Sequence, residues 1–345
     1  MINIGLIGAG NISDTHARAA TAIPGVAIGA VHAPTLEHAQ RLAARHGAAA
    51  YDSLDGLLSH RPLDMVAIGS PSGLHAEQGI AAARRGLHVL VEKPIDVTTA
   101  RIDALIAEAA RAGVTLGVIF QDRLKPDVQR MKALIDAGRL GSPILADAAV
   151  KWYRPPAYYR DSRWRGTRTL DGGGALINQG IHTVDLLVWL FGPVRRVFAK
   201  VAAKLHEIEV EDTAVAVLEF ENGALGTLEA ATSAFPGYSR RIELTGSNGT
   251  IILDGDTLAA IDLQDASVEE KRSRPAGGQG STVSAASPIV ADASAHQRVF
   301  EDFLRAVAHR TAPCCDGPSG RASVAVIEAI YTSARADRPV DVLTV

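Results

Sequence analysis

Residues 1–13 of the chain read MINIGLIGAGNIS, and in this stretch a short apolar run leads directly into a glycine turn. His16 and Ala20 follow at helical spacing, so the sequence predicts a strand, a tight turn and a helix. Gly8 would permit the turn, and Gly10 would let the backbone approach a pyrophosphate at the helix N-terminus. The motif predicts a dinucleotide site, with an ordinary strand-to-helix turn as the alternative. The predicted cofactor contacts in this turn are Gly8, Gly10, Asn11 and Ile12.

The third position of the fingerprint holds Ser13 in place of glycine, and serine is small enough for close packing of the helix on the strand. The predicted second strand, Val26–His32, ends without the acidic residue that would bind a ribose 2′-hydroxyl. No arginine adjoins that end, and the first nearby base is Arg41. The choice between NAD and NADP therefore stays open at this point.

Short apolar strands alternate with amphipathic helices as far as residue 121. Beyond the first two strands, the predicted strands are 65–69, 88–92 and 114–120, and the predicted helices between them are 75–85 and 99–112. This alternation predicts a parallel sheet with helices on both faces. Ligands bind such sheets at the carboxyl ends of the strands.

Polar residues that follow these strands are the other predicted cofactor contacts. They are Ser70, Pro71, His75, Glu92, Lys93 and Gln121. Pro94 pushes Lys93 to an extended backbone, so the lysine side chain should project from the end of its strand. A cis bond before Pro94 would fix this loop. Lys93 is either a solvated cap or a functional group of the ligand site.

A second informative stretch is the predicted helix over residues 175–191, ALINQGIHTVDLLVWLF. Asn178, His182 and Asp185 stand at i, i+4 and i+7, which predicts one polar stripe on an otherwise apolar helix. Buried polar side chains need partners. The stripe therefore predicts either a core histidine held by its neighbours or a catalytic histidine. Asp185 would orient the imidazole or cap a neighbouring loop.

The segment 151–168, KWYRPPAYYRDSRWRGTR, contains six basic residues and a single acid, Asp161. Aromatic faces suit the C–H faces of a sugar ring, and arginines suit carboxylate or phosphate. The predicted substrate contacts are Tyr153, Arg163, Trp164 and, from the helix, Asn178. The alternatives are a subunit interface or single-stranded nucleic acid. The net charge of −3 and the absence of another basic tract argue against nucleic acid.

The remainder of the chain is predicted to be strand-rich. The predicted strands are 144–151, 194–201, 213–220, 224–231, 239–245 and 250–253, and the predicted helices are 127–137, 295–310 and 320–335. Asn222-Gly223 is a hairpin signal. Residues 272–293, rich in Ser, Gly, Pro and Ala, predict a surface excursion. Several paired strands with one exposed face favour dimer formation.

The length and composition of the chain suit two domains. A length of 345 residues suffices for two cores, and no apolar run is long enough to span a bilayer. The N-terminus enters a strand at once, so no secretory signal is expected. The only cysteines, Cys314 and Cys315, are adjacent and indicate a reducing cytoplasm. No His/Cys/Asp cluster has metal-ligand spacing, which predicts no metal.

Taken together, the motifs resemble the Gfo/Idh/MocA family of NAD(P)-dependent sugar and cyclitol oxidoreductases. The matching residues are 8–10 (GAG), 70–75 (SPSGLH), 92–94 (EKP), 120–123 (FQDR), 172–185 (GGGALINQGIHTVD) and 329–334 (AIYTSA). The resemblance implies an α/β fold: an NAD(P)-binding Rossmann domain over 1–121, then a substrate-binding and oligomerisation α+β domain over 122–345 with an open mixed sheet. It also implies a homodimer or homotetramer, and a sugar held between Lys93, the nicotinamide and the helix of His182.

One departure from the family pattern concerns Asn178, because many members carry an aspartate four residues before the histidine. An amide cannot accept a proton, but it can still hold a substrate hydroxyl. The implied chemistry is alcohol oxidation, with His182 as base and Lys93 stabilising the developing alkoxide or sharing the base role. The rival functions are a non-catalytic NAD(P)-binding sensor and an NAD-dependent glycosidase with transient oxidation.

Overall fold

The computed structural model describes residues 1–265 and 292–343. Contacts divide these residues into two compact units. The first is Met1–Gln121 with residues 292–321, and the second begins at Asp122 and includes residues 322–343. The break after Gln121 coincides with the predicted one, while residues 292–321 group with the first unit. The assignment of a role to each domain stays a prediction.

The first unit contains a six-stranded parallel sheet in the order β3-β2-β1-β4-β5-β6. Its strands are β1 (Ile2–Ile7), β2 (Val26–His32), β3 (Ala49–Tyr51), β4 (Met65–Ile68), β5 (His88–Val91) and β6 (Leu116–Val118). This is the strand order of a dinucleotide-binding sheet, so the predicted Rossmann fold is confirmed. The strand order reverses beside β1, where the glycine turn begins.

Helices connect these strands and bury their small apolar faces. They are α1 (Asn11–Thr21), α2 (Leu36–Ala43), α3 (Leu54–Leu58), α4 (His75–Ala83) and α5 (Thr99–Ala112), with a 3₁₀ turn at Ser72–Leu74. Thr98 caps α5 by accepting from the backbone N–H of Arg101, and Gly113 ends the helix in the left-handed conformation. The predicted bounds of α5 are confirmed. The predicted strand 114–120 is shorter, because a 3₁₀ turn begins at Gln121.

The second unit contains an eight-stranded mixed sheet in the order β13-β12-β11-β7-β10-β9-β8-β14. Its strands are β7 (Pro143–Lys151), β8 (Val194–Ala202), β9 (Thr213–Phe220), β10 (Leu225–Ala231), β11 (Arg241–Gly246), β12 (Gly249–Asp254), β13 (Thr257–Leu263) and β14 (Val340–Asp341). The β7–β10 pair is parallel and the other pairs are antiparallel, which confirms the predicted mixed sheet. Asn222 and Gly223 make the predicted hairpin between β9 and β10.

The other described helices are α6 (Pro126–Asp136), α7 (Pro156–Arg160), α8 (Ile181–Phe191), α9 (Ser294–His309) and α10 (Gly317–Ala336). Two of them contact the second sheet: α8 packs on β7, and α6 packs on β13. In the first unit, α9 packs on α1. The prediction of one α-helix over 175–191 was wrong in its first turn. Residues Ala175–Gly180 form a π-helix, so the α-helical stripe of Asn178 and His182 does not hold.

One face of the second sheet is exposed and partly apolar. Along β9 the side chains alternate, with Ala214, Ala216 and Leu218 buried while Val215 and Val217 are about half exposed. Other exposed apolar side chains of this sheet are Ile144, Leu145, Phe198 and Leu225. Apolar side chains that lie together on one exposed face are a common feature of interaction surfaces.

The predicted surface excursion over 272–293 lies almost wholly outside the described residues. Within the described part of the chain, no helix is both long enough and apolar enough to cross a bilayer.

Candidate active site

The glycine turn lies where β1 ends between β2 and β4. The N–H of Gly8 donates to the carbonyl of His32 at 2.9 Å, and the N–H of Gly69 donates to Ile7 at 2.8 Å. Gly8 has φ +110°, and a Cβ there would lie 2.7 Å from the Gly69 carbonyl oxygen. Only glycine therefore fits at position 8.

The start of α1 is suited to a pyrophosphate. Gly10 is the N-cap, so the helix has no side-chain cap at this position, and among the described residues a Cβ on Gly10 would meet nothing within 4 Å. Asn11 and Ile12 form the first turn of this helix. Uncapped N–H groups and the helix dipole favour an anion at such an end. Donor chemistry and open space both fit the phosphates of a dinucleotide.

His75 braces the ends of two further strands. Its Nδ1 lies 2.8 Å from the carbonyl oxygen of Pro94, and its Nε2 lies 2.9 Å from that of Ser70. Burial lowers the pKa of His75, and a neutral ring donates to one of these two oxygens. Ser70 Oγ donates to Gln78 at 2.6 Å. The predicted contacts Ser70, Pro71 and His75 thus come together on one loop, although the buried imidazole is engaged with backbone.

Glu92, at the end of β5, is the centre of a buried cluster with His16 and His296. Glu92 Oε1 lies 3.0 Å from His16 Nε2 and 3.9 Å from His296 Nε2. Burial would raise the pKa of Glu92, but the hydrogen bond with His16 and the charges of His16, His296 and Lys93 lower it to about 2. Glu92 Oε2 accepts the backbone N–H of Lys93 at 3.0 Å, so the cluster fixes the strand end from which Lys93 projects. The Lys93–Pro94 bond is cis, as the sequence allowed.

The same three side chains are a group whose ligand atoms all lie within 4.8 Å of one another. This group could not be predicted from sequence patterns, because its members are separated by 76 and 204 positions. The His16–Glu92 hydrogen bond already gives the buried carboxylate a partner. The absence of a metal stays a prediction.

Gln121 closes the first unit. Its Oε1 is buried and has no hydrogen-bond partner among the described residues. A buried acceptor of this kind is a second feature of this unit that fits a bound polar ligand.

In the second unit, His182 faces Asp122. The imidazole Nδ1 lies 3.8 Å from Asp122 Oδ2, and both side chains are largely buried. Asp122 also binds Lys125 Nζ at 2.5 Å and the Arg240 guanidinium. Although burial alone would raise it, the charges of Arg240, Lys125 and His182 hold the pKa of Asp122 well below its usual range.

Asp185, the third member of the predicted stripe, is structural. Its carboxylate accepts from Arg123 Nε at 2.8 Å and from Arg123 Nη2 at 2.6 Å, and Ser323 Oγ donates to it at 3.1 Å. Asp185 and Arg123 are both almost fully buried. Of the two roles left open by the sequence, the contacts favour a brace between α8 and the neighbouring 3₁₀ turn.

Glu211 holds the beginning of the π-helix. Its carboxylate accepts from the backbone N–H of Gly174 at 3.0 Å and of Leu176 at 2.9 Å, and from Tyr331 Oη at 2.9 Å. Burial is the largest influence on Glu211 and raises its pKa, and these hydrogen bonds offset part of the rise. A Cβ on Gly174 would lie 1.7 Å from the Glu211 carbonyl oxygen, so only glycine fits there.

Asn178 donates through Nδ2 to Asp171 Oδ1 at 2.6 Å. Beside it, Gln179 Nε2 donates to Tyr158 Oη at 2.8 Å, and Gln179 Oε1 accepts from Arg154 Nη2 at 2.9 Å. The π turn therefore links the His182 helix to the aromatic segment 151–168.

Two guanidinium groups stack on Tyr158 within that segment. Arg165 lies 4.3 Å from the ring centroid and Arg154 lies 5.6 Å from it. Arg165 also lies 5.3 Å from the ring of Trp164, one of the predicted substrate contacts. Arg165 Nε is buried with no hydrogen-bond partner among the described residues.

The other two predicted substrate contacts from this segment, Tyr153 and Arg163, are not part of the stack on Tyr158. Tyr153 packs edge-on against Phe235 at 5.2 Å, and Arg163 is exposed. Their substrate roles stay predictions.

Several candidate residues were not predicted from the sequence. Asp122 stood beside Arg123 in a matching motif, yet nothing in the sequence linked it to a histidine 60 positions away. Arg240 and His296 likewise contact candidate residues that are far away in sequence. Asp171 is only seven residues from its partner Asn178, but no sequence pattern indicated their hydrogen bond. For Arg165 a signal was present, since it belongs to the basic aromatic segment, but the sequence could not separate it from Arg163.

Comparisons with known proteins agree with this architecture. One family model, described as "Oxidoreductase family, NAD-binding Rossmann fold", matches residues 2–120, and another, described as "GFO/IDH/MocA C-terminal domain", matches residues 128–252. The uncharacterized oxidoreductase YrbE of Bacillus subtilis is 30% identical over 270 residues, which are 76% of either chain. The myo-inositol 2-dehydrogenase of Thermotoga maritima is 29% identical over 272 residues, 76% of this chain and 78% of that one.

Among solved structures, the WlbA dehydrogenase from Bordetella pertussis, crystallised with NADH and UDP-GlcNAcA, is 31% identical with a TM-score of 0.91. The likeness covers 100% of this chain and 98% of that one. The first unit is thus an NAD-binding Rossmann domain. The chain belongs to the Gfo/Idh/MocA family of oxidoreductases.

Proposed function

We propose that this protein is an NAD-dependent dehydrogenase that oxidises a CH–OH group of an anionic sugar, either a hexuronate or a nucleotide-linked uronate. The relatives named above include an inositol dehydrogenase and a dehydrogenase crystallised with a nucleotide-linked sugar acid, so the reaction class is supported. The observation that carries the anionic substrate is the guanidinium of Arg165.

Arg165 is suited to bind an anion. It stacks on Tyr158 and Trp164 and forms no ion pair with any carboxylate among the described residues. Arg154, on the same ring, adds a second positive charge. Burial is the largest cause of the lowered pKa of Arg154, and the neighbouring charge of Arg165 also lowers it. Two cations held side by side favour carboxylate or phosphate, and planar guanidinium binds either one bidentately.

Each proposed catalytic side chain has a distinct task. His182 takes the hydroxyl proton, because imidazole is a suitable base near neutral pH. Lys93 donates a hydrogen bond to the oxygen as it becomes an alkoxide. Asn178 holds a neighbouring hydroxyl, and Trp164 and Tyr153 contact the sugar ring. The one contribution of bound NAD is to accept the hydride of the carbinol carbon.

The cofactor is proposed to lie on the uncapped start of α1, with Gly8, Gly10, Asn11 and Ile12 around its phosphates. Ser70, Pro71, Glu92 and Gln121 line the adjacent strand ends. NAD is preferred in this proposal, in agreement with the family model and with the NADH in the WlbA crystals.

The test is nicotinamide reduction by the purified protein with neutral hexoses, inositols, hexuronates and nucleotide-linked uronates, using NAD and NADP in turn. Turnover confined to the acidic sugars is expected. Arg165→Ala should raise KM for those sugars about tenfold to a hundredfold, because a hydrogen bond to a charged group contributes about 1.5–3 kcal/mol. The matched control is Arg163→Ala, which removes an exposed guanidinium from the same segment.

An Arg165→Ala variant with unchanged KM for every acidic sugar would remove the basis for an anionic substrate. A larger effect from Arg163→Ala would assign the binding of the anion to Arg163, the residue that the sequence predicts. If no sugar of the panel supports nicotinamide reduction although NAD binds tightly, the result would favour the sensor or the glycosidase with transient oxidation. Neither rival is favoured by the named relatives, two of which are dehydrogenases.

We also propose a homodimer or homotetramer in the cytoplasm, assembled through the exposed face of the second sheet. Phe198 pairs with Val217 in register, and Leu225 pairs with Leu145, so apolar side chains lie side by side on that face. Covering them would remove apolar area from water. Light scattering of the purified protein should give at least twice the mass of one chain, 36.2 kDa, and a single-chain mass would contradict the proposal.

A further inference from the structure

We propose that Asp122 is the positioning residue for His182, fixing the imidazole from its Nδ1 side so that proton transfer takes place at Nε2. This inference rests on the proposed function, because it assigns His182 the role of base. It goes beyond it by naming the carboxylate that directs the ring.

The geometry at His182 points to Asp122. The carboxylate oxygen lies 3.8 Å from Nδ1, which is ion-pair distance, and the His182 and Asp122 side chains are only 12% and 7% exposed. Catalytic hydrogen bonds are often long before substrate binds and tighten in the complex. A carboxylate on the Nδ1 side selects the tautomer and stabilises the imidazolium that forms when the base takes a proton.

The carboxylate of Asp185, on the same helix as His182, already has other partners. Asp185 is bound bidentately by Arg123 and accepts from Ser323, so its oxygens are satisfied by other partners. Asn178, four residues before the histidine, donates its amide to Asp171. Asp122, in contrast, has a carboxylate oxygen within ion-pair distance of the ring.

The surroundings of Asp122 keep it ionised. Arg240, itself almost fully buried, and Lys125 both bind its carboxylate, and both also bind Asp256. Two cations and two anions therefore form a neutral network behind the histidine, and the Arg123–Asp185 pair beside it is also neutral. A proton gained by His182 would be the net charge of this region, with Asp122 as its nearest counter-ion.

The network also supplies a matched control. Asp122 and Asp256 share the same two cations, but only Asp122 faces His182. Asp256 is also more exposed, at 40%. If Asp122 were only a structural member of the network, Asp122→Asn and Asp256→Asn would act alike. If Asp122 positions the imidazole, only Asp122→Asn should change the titration midpoint of His182.

The first experiment is an NMR titration of the His182 imidazole in the full chain without substrate, with the signal assigned by its loss in His182→Asn. Asp122→Asn should lower the titration midpoint by about one pH unit, because an anion at this distance favours the protonated ring. Asp256→Asn should leave the midpoint unchanged. An unchanged midpoint in Asp122→Asn, or equal shifts in both variants, would overturn the proposal.

The second experiment is the pH profile of kcat/KM on whichever sugar turns over. Asp122→Asn should move the acid limb to lower pH by the same amount and reduce kcat at pH 7 about tenfold to a hundredfold with little change in KM. If no sugar turns over, the proposed function fails, whereas the titration still decides whether Asp122 controls the ring.

A charge-preserving variant covers the case in which Asp122→Asn does not fold. Asp122→Glu keeps the anion but moves it by one methylene. The titration midpoint of His182 should therefore persist while kcat falls severalfold, because the ring is held in a different place. Full kcat in Asp122→Glu would overturn the positioning role.

Discussion

Replacing Lys93 with methionine is expected to lower kcat about 10²- to 10³-fold, which is the usual loss when one donor to a developing oxyanion is removed. Methionine preserves much of the length of the lysine side chain but cannot donate a hydrogen bond. The strand end should keep its shape, because Glu92 accepts the backbone N–H of Lys93, which the substitution leaves in place. The measurement is initial velocity of nicotinamide reduction at saturating NAD and sugar.

Two controls separate chemistry from binding. The affinity for NADH, measured by calorimetry, should change only a few-fold in Lys93→Met, since the glycine turn and the start of α1 are untouched. Lys93→Arg, which keeps the charge but alters the reach, should retain more activity than Lys93→Met. If Lys93→Met kept more than a tenth of the wild-type kcat, the role of Lys93 as the oxyanion donor would be excluded.

Removing the cation of the buried Arg123–Asp185 pair should cost about 3–5 kcal/mol of unfolding free energy. Arg123→Met leaves Asp185, which is 1% exposed, with Ser323 as its remaining donor among the described residues. Burial already raises the pKa of Asp185 despite Arg123, and loss of the guanidinium should raise it further. Urea unfolding at pH 7.5 measures the loss.

The pH dependence of that loss has a definite sign. A carboxyl group with a raised pKa in the folded state binds protons more tightly there than in the unfolded chain, where its pKa is about 3.9. Stability of Arg123→Met should therefore fall as the pH rises from about 4 through the raised folded-state pKa. The deficit relative to wild type should be largest at neutral pH and shrink in acid. A pH-independent deficit would mean that Asp185 is not the cause.

A double variant and a surface pair complete this test. Arg123→Met with Asp185→Leu removes both charges and should recover most of the lost stability. Arg195→Met breaks an exposed ion pair with Glu219 and should cost less than about 1 kcal/mol. Equal losses from the buried and exposed pairs would contradict the proposed cause.

The elements that the sequence located well are those with strong local signals. Bounds agree for Ile2–Ile7, Val26–His32, Thr99–Ala112 and Thr213–Phe220, where apolar periodicity coincides with caps or turn residues. The short strands Ala49–Tyr51 and Val340–Asp341 were not predicted. They contain two or three residues and depend on pairing with distant strands, so no local pattern marks them.

The candidate site was predictable only in part. Glycine turns, the residue before a proline and a histidine in an apolar helix are local signals, and they indicated Gly8, Lys93 and His182. The partners of these groups are set by tertiary contacts. Asp122 and Glu92 acquire their depressed pKa values from residues far away in sequence, and the π turn displaced Asn178 from the helical stripe.

The carboxylate of Glu211 has a consequence for how specificity could change in this protein. In the first unit, α1 begins without a side-chain cap, whereas in the second unit the carboxylate of Glu211 already accepts from the first N–H groups of the π-helix. An acidic sugar, the substrate proposed above, would therefore have to be recognised at the π-helix by side chains. A single substitution can change a side chain but not a backbone N–H group. Substrate preference could therefore change through the arginines of 151–168, while Glu211 continues to hold the π-helix that precedes His182.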